Sequence, residues 1–271
     1  MRRVLIAAGV LAALVVAGWA VVIAVAAGLP NPGDLATRAP DRTELMRERL
    51  REAAEHDRRL HIDRRWVPYE RISADLRRAV LIAEDDAFFS HDGLDWDEIG
   101  ESARANLRAG RVVRGGSTIT QQLAKNLWLG DRRTLTRKLA EMILAYRLER
   151  ALTKRRIFEL YLNEIEWGDG VFGIEAAARH WFGTTAAALT PRQSAFLAAV
   201  IINPRRYSPV EPSHRIERRA TIILVRMHQR GFLDDTRYRE AMGLAPVDTV
   251  RDTLPVPVPS PADSLSRPTP P

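Results

Sequence analysis

From Val4 to Leu29 no position carries a charge, and Arg2 and Arg3 stand immediately before that run. Coiled as a helix, it exceeds the roughly 20 residues needed to cross a ~30 Å hydrocarbon core. It therefore has to be placed before any fold is considered. The next charge is Asp34, so the positive flank is N-terminal. This predicts a single-pass anchor over 4–29, with residues 1–3 in the cytoplasm and everything after Leu29 on the far side. The competing assignment is a cleaved leader, because Ala24-Val25-Ala26 resembles a processing site. Leaders usually have an apolar region of only ~7–15 residues, which favours the anchor.

The opposite end is no better suited to a core. Residues 252–271 hold seven of the sixteen prolines, mixed with Ser, Thr and Asp, and 251–271 reads as an extended, disordered tail. Between the ends, 30–64 reads as a membrane-proximal linker and helix, and 65–250 as the folded domain. There is no cysteine, which removes thiol chemistry and thiolate metal sites. The chain has 41 basic and 34 acidic side chains. Residues 104–156 contain 14 basic and 3 acidic of these, against 27 and 31 elsewhere. So local a positive field points to an anionic partner, and a segment outside the membrane argues against nucleic acid.

Apolar spacing across the body is helical. A charged helix is expected over 42–60. Ser73 stands ready to cap a helix with Leu76, Val80 and Ala83 inside. A second apolar line, Ile99, Ala103 and Leu107, ends at Gly110, a plausible helix-terminating glycine. Ser117 is the expected cap of a helix carrying Ile119, Leu123 and Leu127. Thr136 or a neighbour starts a long helix, and Thr153 another that runs towards Gly168. Thr190-Pro191-Arg192-Gln193 combines a capping box with proline in the first turn. A last pair covers 213–230 and 235–242, split at Gly231. No alternating run suggests a strand, so the fold is mainly α.

Four segments carry possible chemistry. In Glu84-Asp85-Asp86-Ala87-Phe88-Phe89-Ser90-His91-Asp92-Gly93, three acids follow an apolar helical face at the end where the macrodipole disfavours them. Burial and like-charge neighbours would raise a carboxyl towards general-base duty. A solvated acidic turn fits the same residues. Gly115-Gly116-Ser117-Thr118 opens a helix whose N–H groups suit an anion, with Gln121, Gln122 and Lys125 on one face. An ordinary cap fits equally. Arg133, Arg137 and Glu141 form an i, i+4, i+8 stripe, which alone is a weak surface pairing. In 154–163, Glu159 and Asn163 share a face and would brace the site. His180 has no partner at metal-ligand spacing and reads as structural.

In this order the segments resemble the peptidoglycan glycosyltransferase family (glycosyltransferase family 51), in its monofunctional biosynthetic form. The matching residues are Glu84, Asp85, Phe88, His91 and Gly93; then Gly115, Gly116, Ser117, Thr118, Gln121, Gln122, Lys125 and Asn126; then Arg137, Lys138 and Glu141; then Lys154, Glu159 and Asn163. The resemblance spans roughly 65–205. It implies a two-lobed, lysozyme-like helical domain outside the cytoplasmic (inner) membrane, acting on lipid II and the nascent glycan strand. Glu84 matches the family's catalytic base and Glu141 its second essential carboxylate. Lys125 and Arg133 match the pyrophosphate-binding cations, helped by Arg137 and Lys138. Ser117, Thr118, Gln121, Gln122 and Asn126 match the substrate cleft. A divalent cation, Mg or Mn, at the pyrophosphate is the one cofactor the resemblance allows, and cell-wall synthesis proteins are further partners. The chain contains no Ser-x-x-Lys and no Lys-Thr-Gly, so no transpeptidase activity is expected. A lysozyme-like hydrolase would have no use for pyrophosphate cations, and a non-catalytic scaffold no use for the polar cleft.

Overall fold

The computed structural model describes residues 2–111, 115–130 and 134–245. Arg133 and the proline-rich tail lie outside them. The anchor segment is a continuous helix, α1 (Arg2–Ala27), exposed along its apolar length, with mean hydropathy 2.7 over Gly9–Ala27. The body follows as α2 (Glu44–Glu55), β1 (Asp63–Arg64), α3 (Ala74–Glu84), α4 (Trp96–Ala109) and α5 (Ile119–Ala124). Next come α6 (Leu135–Ala151), α7 (Lys154–Glu164), β2 (Glu166–Gly168), β3 (Val171–Phe172) and α8 (Ile174–Phe182). The last three are α9 (Pro191–Val200), α10 (His214–Gln229) and α11 (Asp235–Met242).

Most boundaries follow their caps. Thr190 accepts from Gln193 N–H in the expected capping box, with Pro191 in the first turn, and Thr153 accepts from Arg156 N–H. Gly110 closes α4 in the left-handed region. Other boundaries differ. Ser73 stands at the start of α3, but its hydroxyl donates to Leu189 O at 3.1 Å instead of capping. α5 is capped by Thr118 rather than Ser117. The reason is reciprocal bonding: three residues beyond Thr118 is Gln121, which reaches back to the cap N–H, whereas Ser117 would need that from Thr120. α6 begins at Leu135, capped by Thr134, two residues before Thr136.

α9 is the centre of the body. Ser194 through Val200 are all buried, and its alanines 195, 198 and 199 let α3 and α10 approach closely. The inner face of α3 packs on it through Leu76 and Val80, neither exposed. Each such side chain contributes about 1.5–3 kcal/mol of burial. That packing fixes the direction in which the last residue of α3, Glu84, points. The line Ile99, Ala103 and Leu107 does not join this core: Leu107 is 85% exposed and Ala103 is exposed. Three short strands, in the order β1-β3-β2, were not foreseen. With two or three residues each they are too short to show alternation, and they end α7 at Glu164, before Gly168.

Candidate active site

The three acids after α3 have three different fates. Asp85 is buried and accepts from the Ile119 N–H at 2.9 Å, tying α3 to the start of α5. It also meets His91 Nε2 at 3.1 Å. His91 Nδ1 accepts from the Gly93 N–H at 3.1 Å, so the Nε2 tautomer is the one that donates to Asp85. Asp86 forms a bidentate pair with Arg230. Glu84 is also largely enclosed, its side chain 13% exposed, and it faces α5 and α10. Its Oε2 accepts from Gln122 Nε2 at 3.1 Å and its Oε1 from Arg219 Nη2 at 3.2 Å. Behind it, the fully buried Tyr161 donates to Gln122 Oε1 at 3.0 Å.

These surroundings set the proton affinity of Glu84. Burial raises its pKa above the ordinary carboxylate value; Arg219 and the Gln122 hydrogen bond pull it back, and Asp85 pushes it up again. Burial likewise raises Tyr161 well above its usual range, with Glu84 and Asp85 adding to it, so the phenol stays a donor. The result is a desolvated carboxyl whose affinity for a proton is raised, the direction a general base requires.

The neighbouring loop is built around close approach. Gly93 has φ +85°, and a Cβ there would come within 2.9 Å of Glu149 Cγ. Its carbonyl accepts from Thr118 Oγ1 at 2.6 Å. At Gly116 a Cβ would lie 3.3 Å from Ile99 Cα and Ser102 Oγ of α4, whereas Gly115 has open space. Thr118 and Gln121 are buried in the cap, so the Gln121 side chain is spent on the Thr118 N–H and does not line the cleft with Gln122 and Lys125. Phe88 is fully buried and Lys154 Nζ stands 4.4 Å above its ring.

From Gln122 and Tyr161 the site opens into a cleft of about 1040 Å³. Lys125, Asn126 and Arg137 line it beyond Gln122. Lys125 begins a single π turn (Lys125–Leu129) that continues α5. On α6, Glu141 is buried and held by two cations: Arg137 Nη1 at 2.7 Å and Lys138 Nζ at 2.5 Å. Lys138 Nζ also reaches the exposed Ser117 Oγ at 3.2 Å, joining the glycine loop to α6. The far wall holds Arg49, paired with Glu166 at 2.8 Å, and Arg205, paired with Glu52 at 2.7 Å.

Two expected braces lie away from the cleft. Asn163 accepts from Val67 N–H at 2.9 Å and donates to Val67 O at 3.0 Å; Glu159 accepts from Tyr69 N–H at 2.9 Å. They fasten the segment leading into α3. Among the described residues no group of three His, Asp or Glu converges on a point. The cleft's cationic end offers ammonium, guanidinium and amide groups, and Glu141 is already clamped. That donor set does not fit a protein-held Mg or Mn ion.

Arg219 and the Arg230 pair with Asp86 were not anticipated. In sequence, Arg218-Arg219 looks like the charged face of an ordinary amphipathic helix, with no local signal to set it apart.

Fold and site together define a helical enzyme in which Gln122 links an enclosed carboxyl, Glu84, to a polar cleft lined by Lys125 and Arg137. The family model described as Transglycosylase matches residues 51–228, and the chain belongs to that family, whose domain is lysozyme-like. Biosynthetic peptidoglycan transglycosylase of Herminiimonas arsenicoxydans is 47% identical over 188 residues, covering 69% of this chain and 81% of that protein. The proteins of that name from Methylobacillus flagellatus and Dechloromonas aromatica are 48% and 46% identical, over 82% and 83% of their own lengths. The family match runs on through most of α10 and includes Arg219.

Proposed function

We propose that the chain polymerises peptidoglycan glycan strands, using a growing glycan on undecaprenyl pyrophosphate as donor and lipid II as acceptor. Glu84 takes the proton from the acceptor's GlcNAc 4-hydroxyl as that oxygen bonds to the donor's anomeric carbon. The bond from that carbon to the pyrophosphate breaks on the opposite face, and the pyrophosphate leaves with the electron pair. One inversion turns the α-linked donor into a β-1,4 linkage. A pyrophosphate needs no proton to leave, so its developing charge is met by fixed cations: Lys125, Arg137 and, outside the described residues, Arg133. Glu141 orients Arg137 and Lys138. The observation that supports this reading is a desolvated Glu84 hydrogen-bonded to Gln122, which lines the same cleft as Lys125 and Arg137.

The apolar α1 supports a single-pass anchor in the cytoplasmic membrane, N-terminus inside, with the domain on the outer face where lipid-linked substrate is presented. The activity is glycosyl transfer without transpeptidation. The test is polymer formation from labelled lipid II by the full chain in detergent. Wild type should give long glycan, and Glu84→Gln, an isosteric change, essentially none at an unchanged melting temperature. Polymer from a folded Glu84→Gln protein, or cleavage of finished glycan in place of synthesis, would overturn the assignment.

A further inference from the structure

Glu84 is held from two sides by elements that are far apart in the chain. Gln122 reaches Oε2 from α5, and Arg219 reaches Oε1 from α10, 135 residues away. Arg219 belongs to a set of three arginines by which α10, its C-terminal cap and α11 grip α3. Arg230 takes both oxygens of Asp86, and Arg237 meets Asp75 at 2.6 Å. Those two contacts fasten the beginning and the end of α3. Arg219 differs in reaching the reactive carboxylate itself. Its Nε is buried with no hydrogen-bond partner, so part of the guanidinium has given up water to make this contact.

We infer, on the reading of Glu84 as the base, that Arg219 is a positioning residue for glycosyl transfer, fixing the carboxylate rotamer and supplying a cation that favours its base form in a largely dry site. A carboxylate has about four lone-pair positions. Arg219 and Gln122 use one on each oxygen, leaving room for a substrate hydroxyl. The groups facing Glu84 are Arg219 from α10, Gln122 from α5, Tyr161 from α7 and the adjacent Asp85. Asp85 is shared with His91 and Asp86 with Arg230, so neither of their partners compensates at Glu84. The inner residues of α9 add no charge there. Without Arg219, burial and Asp85 would act on Glu84 opposed only by an amide, and the base would need a higher pH to ionise.

The experiment is kcat/KM against pH for the full chain on labelled lipid II, comparing wild type, Arg219→Gln, Arg219→Lys and Glu84→Gln, with melting temperatures for each. Arg219→Gln should move the acidic limb upward by about one pH unit, so that a roughly tenfold loss below the limb disappears at high pH. Arg219→Lys, which keeps the charge but not the forked geometry, should undo most of that shift and leave a residual rise of about 0.3 pH unit. A uniform loss at every pH, with the limb unmoved, would show a merely structural role and overturn the inference. If Glu84→Gln is inactive while neither Arg219 variant moves the limb, Arg219 alone has been misassigned. An active Glu84→Gln overturns the base and its positioning residue together. Should Arg219→Gln melt below the assay temperature, Arg219→Lys carries the test: a partial upward shift supports the inference and an unmoved limb overturns it.

Discussion

At the residue scale, the division of labour within a few ångströms is what gives the cleft its polarity. Lys125 lines the cleft one helical turn beyond Gln122, so an ammonium follows the carboxylate's own partner along the same wall. Arg137, on the same cleft, is paired with Glu141 at 2.7 Å. On the proposed function, Lys125→Ala removes a charge that stabilises the leaving pyrophosphate, and it leaves the buried Leu123, Ala124 and Leu127 untouched. Turnover on lipid II should fall about 10²–10³-fold, the usual cost of losing one preorganised stabilising group, with KM changed far less and the melting temperature kept. Near-normal turnover would remove Lys125 from the pyrophosphate site. Glu84, Gln122 and Lys125 were legible in the sequence because each sits in a short run whose spacing is set by one helix. Arg219 was not, because its partner is a whole fold away. Thr118 and Gln121 were legible as polar residues but not as the cap that consumes them.

At the scale of elements, capping residues and apolar spacing located the helices well, and the exceptions share a cause. α4 has helical apolar spacing, yet Leu107 faces outward, because periodicity reports amphipathicity and not which face finds a partner. The strands escaped notice because pairing, not composition, makes them. β1 pairs with β3, and its Arg64 also pairs with Glu164, which is fully buried at the end of α7. Burial raises Glu164 from 4.5 to about 7 in spite of Arg64. A folded pKa above the unfolded one means the folded state holds the proton more tightly. The associated stability is therefore complete below about pH 4.5 and is lost as pH rises through about 7. Glu164→Gln cannot titrate. The stability of wild type relative to this variant should thus drop by on the order of 2–3 kcal/mol between pH 5 and 8. Chemical denaturation in detergent at both pH values measures it, and a gap independent of pH would refute the buried, high-pKa carboxyl.

At the scale of the whole molecule, the apolar α1 meets the helical body through a short bonded segment. The last carbonyls of a membrane helix have no intrahelical partner, and leaving them bare beside hydrocarbon is costly. Arg147 of α6 supplies the partners: Nη2 donates to Ala26 O at 2.8 Å, and Nη1 to Leu29 O at 2.7 Å and Pro30 O at 3.2 Å. Arg156 of α7 continues the strap, donating to Leu35 O at 2.8 Å and Arg38 O at 2.9 Å, while Leu35 is buried in the core. The segment after the anchor is thereby bound along two helices that also carry Glu141 and Tyr161. It is not a loose tether: these bonds join the end of α1 to the body. Arg147→Met keeps the aliphatic stem and the buried Leu144 and Leu148 while deleting the donors. Hydrogen exchange at the amides of Gly28, Leu29, Leu35, Thr37 and Arg38, each bonded locally in the folded chain, should then quicken about tenfold, the equivalent of roughly 1.4 kcal/mol of lost local stability. The amides of α9 should keep their protection. Unchanged exchange from 28 to 38 would mean that the anchor is held by packing alone. Faster exchange throughout the body would mean that Arg147 supports the fold and not the strap.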